Sequence, residues 1–381
     1  MQDIVATINS YVWSSALVYL CLGAGLFFSI MTRFVQVRQF REMIRLLTRG
    51  KASSEGISTF QALAVSLSGR VGTGNIAGVA AAIGFGGPGA VFWMWVVAFL
   101  GASTAYVESA LGQIYKEVDD GQYRGGPAFY IEKALGQKWY AWIFAMSTVL
   151  ATGFLLPGVQ ANAIGNAVDL AFGGGTLIES PFGEVSQVKL IVGSFIVLFL
   201  GIIIFGGVKR IAHFTQVVVP VIALAYVVSA LVIIVMNISV VPDIIMLIVK
   251  DAFTPMAGFG AAIGWGVKRG IYSNEAGQGT GPHAASAAEV DHPAQQGLVQ
   301  AFSVYVDTLL VCSATAFMIL ITGAYHVTGV EGAVSGGALA MTVDPNSPAF
   351  TQLAVESVVS GVGGPFVAVA LFFFAFTTLL A

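Results

Sequence analysis

Nine long apolar segments, separated by shorter polar stretches, limit how this chain can fold. They span residues 12–31, 60–83, 89–115, 139–171, 187–206, 213–237, 253–272, 299–323 and 358–381. Hydrophobic residues make up 56% of the 381 positions and charged residues only 10%, whereas soluble domains carry about 25% charged residues. About 20 apolar residues suffice for a helix to cross a bilayer. The sequence therefore predicts an all-α polytopic membrane protein, with residues 1–381 forming a single transmembrane domain.

The polar residues argue against several classes of function. Neither Cys21 nor Cys312 belongs to a CxxC motif, and the four histidines show no HExxH spacing. The sequence also lacks a GxxxxGK[ST] phosphate loop and a GxSxG nucleophile elbow. The 17 basic residues are scattered and form no single patch. We therefore expect neither an enzyme nor a nucleic-acid-binding protein.

The segment 60–83, FQALAVSLSGRVGTGNIAGVAAAI, is apolar at both ends but polar in its middle, where three glycines, Arg70 and Asn75 follow Ser68. As one helix it would measure about 36 Å, enough for a bilayer core of about 30 Å. Each glycine, however, costs about 1 kcal/mol relative to alanine, so we expect the helix to break there. A break in lipid frees peptide groups that only protein, water or solute can satisfy, which predicts a binding site. Close helix packing through small residues is the alternative.

A second segment, 253–272, shows the same kind of interruption. It contains Pro255, Gly258, Gly260, Gly264 and Gly266, and we expect these residues to break it. Two Gly/Pro-interrupted segments in corresponding positions of two halves indicate a transporter's binding site. The two segments are five spans apart, so a repeat of five helices would give the halves inverted topology.

Basic residues are divided unevenly between the loops when each apolar segment is counted as one span. Fourteen lie on one side, namely Arg33, Arg38, Arg41, Arg45, Arg49, Lys51, Lys116, Arg124, Lys133, Lys138, Lys209, Arg210, Lys268 and Arg269. Only Lys189 and Lys250 lie on the other side, and Arg70 lies inside the membrane. Because cytoplasmic loops carry the excess of Lys and Arg, we expect the fourteen in the cytoplasm and the N-terminus outside.

Several polar residues in the apolar segments leave more than one role open. An unpaired Arg70 would cost about 2.5–3.5 kcal/mol in the membrane, so it should pair with Glu108, Glu275 or a carbonyl. Either carboxylate could instead relay protons. Gln160 faces either a central cavity or a hydrogen bond between helices.

Four stretches, GTGNIAGVAAAI, GGPGAVFWMW, AFTPMAGFG and RGIYSNEAGQGTGPHAA, resemble the alanine or glycine:cation symporter family of bacteria and archaea. The resemblance implies an inverted-repeat, leucine-transporter-type fold with one extra N-terminal helix at 12–31. The five-helix repeats would be 60–237 and an incomplete 253–381. Family members continue through further core helices, so we expect a chain truncated after the eighth core helix.

The resemblance also implies sodium-coupled symport of a small neutral amino acid, alanine or glycine, across the prokaryotic plasma (inner) membrane. Membrane lipid would surround this multi-pass protein, and the sequence makes no prediction of its oligomeric state. Two alternatives keep the fold, namely proton coupling through Glu108 or Glu275, and a glutamine-type substrate. An ion channel, which can also line its pore with broken helices, is the alternative from another class.

Carried over residue by residue, the resemblance implies a set of substrate contacts. These are Thr73, Gly74, Asn75, Gln160, Thr254, Gly258, Phe259 and Ile263. Residues 73–75 would receive the substrate carboxylate, and Thr254 and Gly258 its amino group. Phe259 and Ile263 would form an apolar wall that limits the size of the side chain.

The resemblance places a sodium ion between two neighbouring pairs of residues. Ser68 and Val71 would supply backbone near the first break, and Thr377 and Thr378 would supply hydroxyl groups from the last apolar segment. Uncharged oxygen ligands of this kind suit a hard monovalent cation.

Overall fold

The computed structural model describes residues 7–9, 11–48, 53–180, 183–254, 259–328 and 343–381. In these ranges, six helical runs are long and apolar enough to cross a membrane. They are Gly89–Ile114, Lys138–Phe172, Gln187–Ile204, Gly207–Met236, Pro293–Thr322 and Gly363–Leu380. Shorter apolar helices lie at Ser15–Met31 and Gly74–Gly86. The predicted all-α polytopic class is therefore confirmed.

The first half of the chain contains the helices α1–α11 and two small hairpins. The helices are α1 Ser15–Met31, α2 Val35–Arg38, α3 Phe40–Leu47, α4 Thr59–Arg70, α5 Val79–Gly86, α6 Gly89–Ile114, α7 Pro127–Leu135, α8 Lys138–Leu150, α9 Leu156–Phe172, α10 Gln187–Ile204 and α11 Gly207–Met236. The π-helical turns Gly74–Gly78 and Ala151–Leu155 lead directly into α5 and α9. Antiparallel hairpins join β1 Glu117–Asp119 to β2 Gln122–Arg124, and β3 Leu177–Ser180 to β4 Gly183–Ser186.

The second half continues the same way. It comprises α12 Val241–Phe253, α13 Phe259–Asn274, α14 Gly281–Ser286, α15 Pro293–Val304, α16 Ser313–Thr322, α17 Pro348–Glu356 and α18 Gly363–Leu380. The π-helical segment Tyr305–Cys312 joins α15 to α16 without a loop. Helix α6 lies at the centre of the molecule, where α13, α14 and α15 all pack against it.

The predicted break in segment 60–83 is present. Helix α4 begins with a capping box, in which Ser58 and Gln61 bond each other's backbone N–H groups. It ends at Arg70, and Val71 leaves the helical conformation with φ −80° and ψ 87°. Helical structure resumes at Thr73, which has φ −59° and ψ −28°, and continues through Gly74, so residues 71–72 form the interruption.

The second break lies further along the chain than the sequence predicts. Helix α13 runs unbroken through Gly260, Gly264 and Gly266 to Asn274, and the interruption spans residues 275–280. There Glu275, Gly277 and Gly279 have φ values of +55°, +84° and +84°. A right-handed helix cannot continue through such left-handed backbone. The expectation that Gly260, Gly264 and Gly266 break that segment is therefore wrong, whereas Pro255 and Gly258 lie outside the described residues.

Four loops meet at one end of the molecule, which we call the basic end. Lys209 Nζ bonds Ser54 O at 2.6 Å, and Lys116 Nζ bonds Ala288 O at 2.7 Å. The N–H of Tyr123 bonds the carbonyl of Glu55 at 3.1 Å. Burial lowers the pKa of the Lys116 ammonium to about 8.

Lys268 and Arg269 do not lie at the basic end, contrary to expectation. Because α13 continues to Asn274 before the break, both residues occupy the half of the span nearer the opposite end. Arg269 there donates to Asn346 Oδ1 at 2.7 Å. Twelve of the fourteen basic residues expected on the cytoplasmic side are unaffected by this correction, and of these Arg49 and Lys51 lie outside the described residues.

The glycines of α13 differ in their surroundings, and substitution should separate their roles. A Cβ at Gly266 would lie 2.6 Å from Trp93 Cβ and would also meet the carbonyl oxygen of Ala90. A Cβ at Gly264 would meet nothing within 4 Å. We expect Gly266→Ala to destabilise the protein by about 1–3 kcal/mol through overpacking. Gly264→Ala is the matched control and should be neutral or slightly stabilising, since alanine favours helix.

Thermal unfolding of the two purified variants in the same detergent measures this difference. Equal unfolding temperatures would contradict the close packing of α13 against α6.

Candidate functional site

The two helix breaks face each other in the middle of the molecule. A Cβ at Gly74, just after the first break, would lie 3.2 Å from Ser273 Cα and 3.3 Å from Tyr272 Cδ1. Real Cβ atoms rarely have contacts this tight. Glycine at position 74 therefore lets the first broken helix approach the last turn of α13, just before the second break.

A fully buried carboxylate, Asp307, joins both breaks to the π-helical segment between α15 and α16. Its Oδ1 accepts from Asn75 Nδ2 at 2.7 Å and from Ser273 Oγ at 3.0 Å. Its Oδ2 accepts from Thr308 Oγ1 at 2.7 Å. Hydrogen bonds to charged groups are worth about 1.5–3 kcal/mol each. Asp307 thus holds Asn75 and Ser273 in fixed positions.

Asn75 also satisfies part of the freed backbone. Its Oδ1 accepts from the N–H of Gly72 at 2.9 Å, while its Nδ2 lies 3.3 Å from Cys312 Sγ. The side chain is completely buried. The structure therefore gives Asn75 a role in holding the break, and its amide group is already committed to protein partners.

Helix α9 supplies the partner of the next peptide group. Gln160 Oε1 accepts from the N–H of Thr73 at 3.1 Å, and the Gln160 side chain is 4% exposed. Of the two roles left open by the sequence, Gln160 thus makes a contact between helices while also lining a cavity. The Oγ1 of Thr73 has no hydrogen-bond partner among the described residues.

Helix α18 reaches the first break through one hydroxyl group. Thr378 Oγ1 lies 3.3 Å from the carbonyl oxygen of Val71 and also bonds Phe374 O at 2.9 Å. The adjacent Thr377 Oγ1 bonds carbonyl groups of its own helix at 3.0 Å, and Ser68 Oγ bonds Val65 O at 2.7 Å. These groups offer neutral oxygens, which fits the donor set that a hard monovalent cation requires.

The buried charges near the breaks bind neutral groups. Arg70 donates to the carbonyl of Gln300 at 3.1 Å and to Ser303 Oγ. Of the partners that the sequence left open for Arg70, the structure shows a carbonyl. Glu108 accepts from the N–H groups of Gly277 and Gly279 at 3.1 and 3.2 Å. Glu108 thereby stabilises the second break.

Cavities lie on both sides of the first break. The Thr280 cavity, about 490 Å³, reaches toward the basic end and is lined by residues including Gln160, Glu275 and Thr378. The Arg269 cavity, about 420 Å³, lies toward the opposite end and is lined by Thr73, Arg269, Tyr272 and others. No described residue lines both of them. A third cavity of about 780 Å³ follows α1 and reaches both breaks from the side.

Two of the predicted substrate contacts, Thr254 and Ile263, lie away from this arrangement, and two more cannot be placed in it. Thr254 is exposed at the end of α12, where its Oγ1 bonds Lys250 O at 2.8 Å. Ile263 packs in an apolar cluster with Val97 and Ile271. Gly258 and the side chain of Phe259 lie outside the described residues.

Sequence reasoning missed two residues that hold the site together, Asp307 and Ser273. Asp307 was visible as the only carboxylate within the apolar segment 299–323. Ionisable residues inside spans are functional candidates by default, so its position was a usable signal. Ser273 lies in the SNEAG stretch, and only the location of the second break explains its role.

The sequence is similar to those of known membrane transport proteins. The family model described as the sodium:alanine symporter family matches residues 1–381. YrbD of Bacillus subtilis, assigned to sodium/proton-dependent alanine transport, is 58% identical over all of this chain and 76% of its own length. GlnT of the same organism, assigned to sodium/glutamine symport, is 42% identical over 100% of this chain and 75% of its own.

A third relative comes from Bacillus sp. (strain PS3). This sodium/proton-dependent alanine carrier protein is 48% identical over 89% of the present chain and 74% of its own length. The match of the family model over the whole chain, together with these identities, establishes the family. The chain belongs to the sodium:alanine symporter family.

Proposed function

We propose that this chain couples the entry of sodium to the uptake of a small neutral amino acid, alanine or glycine. The observation that carries the proposal is the contact of 3.3 Å between Thr378 Oγ1 and the carbonyl of Val71. It brings hydroxyl and carbonyl oxygens together beside the peptide groups of Thr73 and Gly74. An ion and a carboxylate can therefore be held at one break.

The architecture supports a leucine-transporter-type fold. Helices α4 and α5 run from the basic end to the opposite end, whereas α13 and α14 run back, since Ala288 after α14 pairs with Ile57 before α4. Two broken helices of opposite direction are what inverted repeats of 60–237 and 253–381 require. The extra helix is α1, within 12–31.

The substrate carboxylate would bind the helix end that follows the first break. Free N–H groups and the positive end of the helix dipole attract anions there. Thr73 and Gly74 would supply these groups. The hydrogen bond from the Thr73 N–H to Gln160 would break as the substrate enters, whereas the bond from the Gly72 N–H to Asn75 would remain and hold the break. Thr254 and Ile263 lie outside this arrangement. The contacts of Gly258 and Phe259 with the substrate remain predictions.

Sodium would lie between α4 and α18. The hydroxyls of Thr377 and Thr378 and the backbone around Ser68 and Val71 would hold it. When bound, the ion supplies a positive charge that draws the Val71 carbonyl and the α18 hydroxyls together. At about 100 mV one sodium ion gains roughly 2.3 kcal/mol, enough to concentrate a neutral solute about 40-fold.

The Arg269 cavity and the Thr280 cavity lie on opposite sides of the first break, which suits alternating access. Substrate and ion would reach the break through the Arg269 cavity and leave through the Thr280 cavity. We propose that the basic end is cytoplasmic, because the loops that carry the excess of Lys and Arg meet at this end. The N-terminus would then lie outside. The protein would thus be a multi-pass component of the prokaryotic plasma membrane.

Proton coupling is the second candidate, because two relatives are described as sodium/proton-dependent. Glu108 and Glu275 are the carboxylates at the second break, and Glu275 Oε2 accepts from Thr280 Oγ1 at 2.6 Å. Glutamine remains an alternative substrate, as the GlnT assignment suggests.

Removing one hydroxyl tests the sodium site. We expect Thr378→Val to raise the sodium concentration for half-maximal alanine uptake by about tenfold or more, equivalent to about 1.4 kcal/mol of lost ion binding. Thr377→Val should act in the same direction. Thr378→Ser keeps the hydroxyl and is the matched control. Uptake of labelled alanine into proteoliposomes with an inward sodium gradient is the measurement.

Two results would contradict the proposal. Wild-type protein that accumulates alanine equally well without a sodium gradient would exclude sodium coupling. An unchanged sodium dependence in Thr378→Val would exclude the site on α18.

The buried carboxylate provides a second test. Asp307→Asn removes the charge that Asn75, Ser273 and Thr308 donate to, and each such bond weakens toward the value of a neutral one, about 1 kcal/mol. We expect turnover at saturating alanine and sodium to fall about tenfold or more. Thr308→Ser, which keeps its hydroxyl donor, should transport at a rate near that of the wild type. Normal turnover in Asp307→Asn would show that the clamp on the two breaks is dispensable.

A further inference from the structure

The Arg269 cavity has a balanced pair of charges. Its volume of about 420 Å³ lies within the range of about 300–1,000 Å³ that is typical of small-molecule sites. One cation, Arg269, and one carboxylate, Asp344, line it, and every other described lining residue is uncharged. A lone anion or a lone cation would be repelled by one member of this pair, whereas a zwitterion would not.

Arg269 has hydrogen-bonding capacity to spare. One Nη donates to Asn346 Oδ1 at 2.7 Å, but its Nε is buried and has no partner among the described residues. The guanidinium carbon lies 5.2 Å from the centre of the Trp265 ring, which stacks on Phe85 at 4.6 Å. This cation–π contact positions the planar group and leaves its free donor for a planar anion such as a carboxylate.

Thr73 provides an independent indication of a ligand. Its side chain is 4% exposed and lines the Arg269 cavity, yet its Oγ1 has no partner among the described residues. A buried hydroxyl without a partner is unfavourable because it has lost its hydrogen bonds to water. A polar ligand in the cavity would satisfy it at the edge of the first break.

We propose that the Arg269 cavity is a second binding site for a zwitterionic α-amino acid, occupied before the substrate reaches the break. Arg269 binds the carboxylate, Asp344 attracts the ammonium group, and the Thr73 hydroxyl meets the ligand at the inner limit of the cavity. The small side chains of Ala77 and Ala163 lie in the same wall and suit a short substrate side chain. The proposal rests on the proposed function, whose amino-acid substrate it uses.

Loss of the cation tests the site. In intact cells, Arg269→Gln should raise the KM for external alanine about tenfold or more, with turnover at saturating alanine changed by less than about twofold. Lys268→Gln is the matched control, because it removes the same charge one residue away and does not line the cavity. Its KM should stay within about twofold of the wild type. An unchanged KM in Arg269→Gln would overturn the proposal.

A second variant separates ligand binding from closure of the cavity. Asn346→Ala removes the side-chain partner of Arg269 and leaves the cation in place. It should not raise the KM for alanine. If Asn346→Ala raised the KM as much as Arg269→Gln, Arg269 would act by holding the wall of the cavity, and the proposed binding site would be wrong.

Binding can be measured without transport. Alanine added to the purified full chain in sodium-free buffer should change the fluorescence of Trp265, and Trp265→Phe identifies that signal. The change should survive in Thr378→Val, disappear in Arg269→Gln and remain in Lys268→Gln. No change in the wild type, or a change that survives Arg269→Gln, would overturn the second site. Absence of sodium-driven uptake with this signal intact would instead reject only the proposed function.

Discussion

The rest of the structure depends on one constraint, namely that the peptide groups freed at two helix breaks need hydrogen-bond partners that lipid does not offer. Lipid cannot satisfy such groups, and side chains of the protein do so instead. Asn75 and Gln160 accept the N–H groups of Gly72 and Thr73 at the first break. Glu108 accepts two N–H groups at the second. The breaks are therefore stabilised by contacts with α6, α9 and the α15–α16 pair.

The same constraint explains why charged residues occur in so apolar a chain. Arg70, Glu108 and Asp307 each bond neutral groups, and Glu108 and Asp307 act directly on the breaks or on the residues that flank them. A charge strengthens a hydrogen bond roughly twofold over a neutral group. Buried charges thus hold the irregular backbone in one conformation. Neutralising such a charge therefore alters the geometry of the break as well as its electrostatics.

The sequence predicted the class of fold and the first break, but it placed the second break too early. Glycine has two uses in this chain that look alike in sequence. Gly266 lacks a side chain because α6 lies against it, whereas Gly277 and Gly279 provide left-handed backbone. Only the second use ends a helix. The local sequence pattern could not distinguish these two uses, because the first depends on a neighbour some 170 residues away in the chain.

The role of Asp307 was not predicted for a similar reason, since its partners Asn75 and Ser273 come from two other segments.

The proposed coupling between sodium and substrate follows from the short stretch of backbone between their two proposed sites. Sodium is proposed at the carbonyl of Val71 and the substrate at the N–H of Thr73, with only Gly72 between them. A Cβ at Gly72 would lie 2.5 Å from Thr378 Oγ1 and 3.1 Å from Gln160 Oε1. The backbone at this residue therefore lies against both α18, which would hold the ion, and α9, which carries Gln160. Any shift of the Val71 carbonyl toward a bound ion must turn the adjoining peptide planes, because each plane is rigid. Ion binding would thus reorient the N–H group that would receive the carboxylate, and the irregular backbone at residues 71–72 would suffice to link the two events.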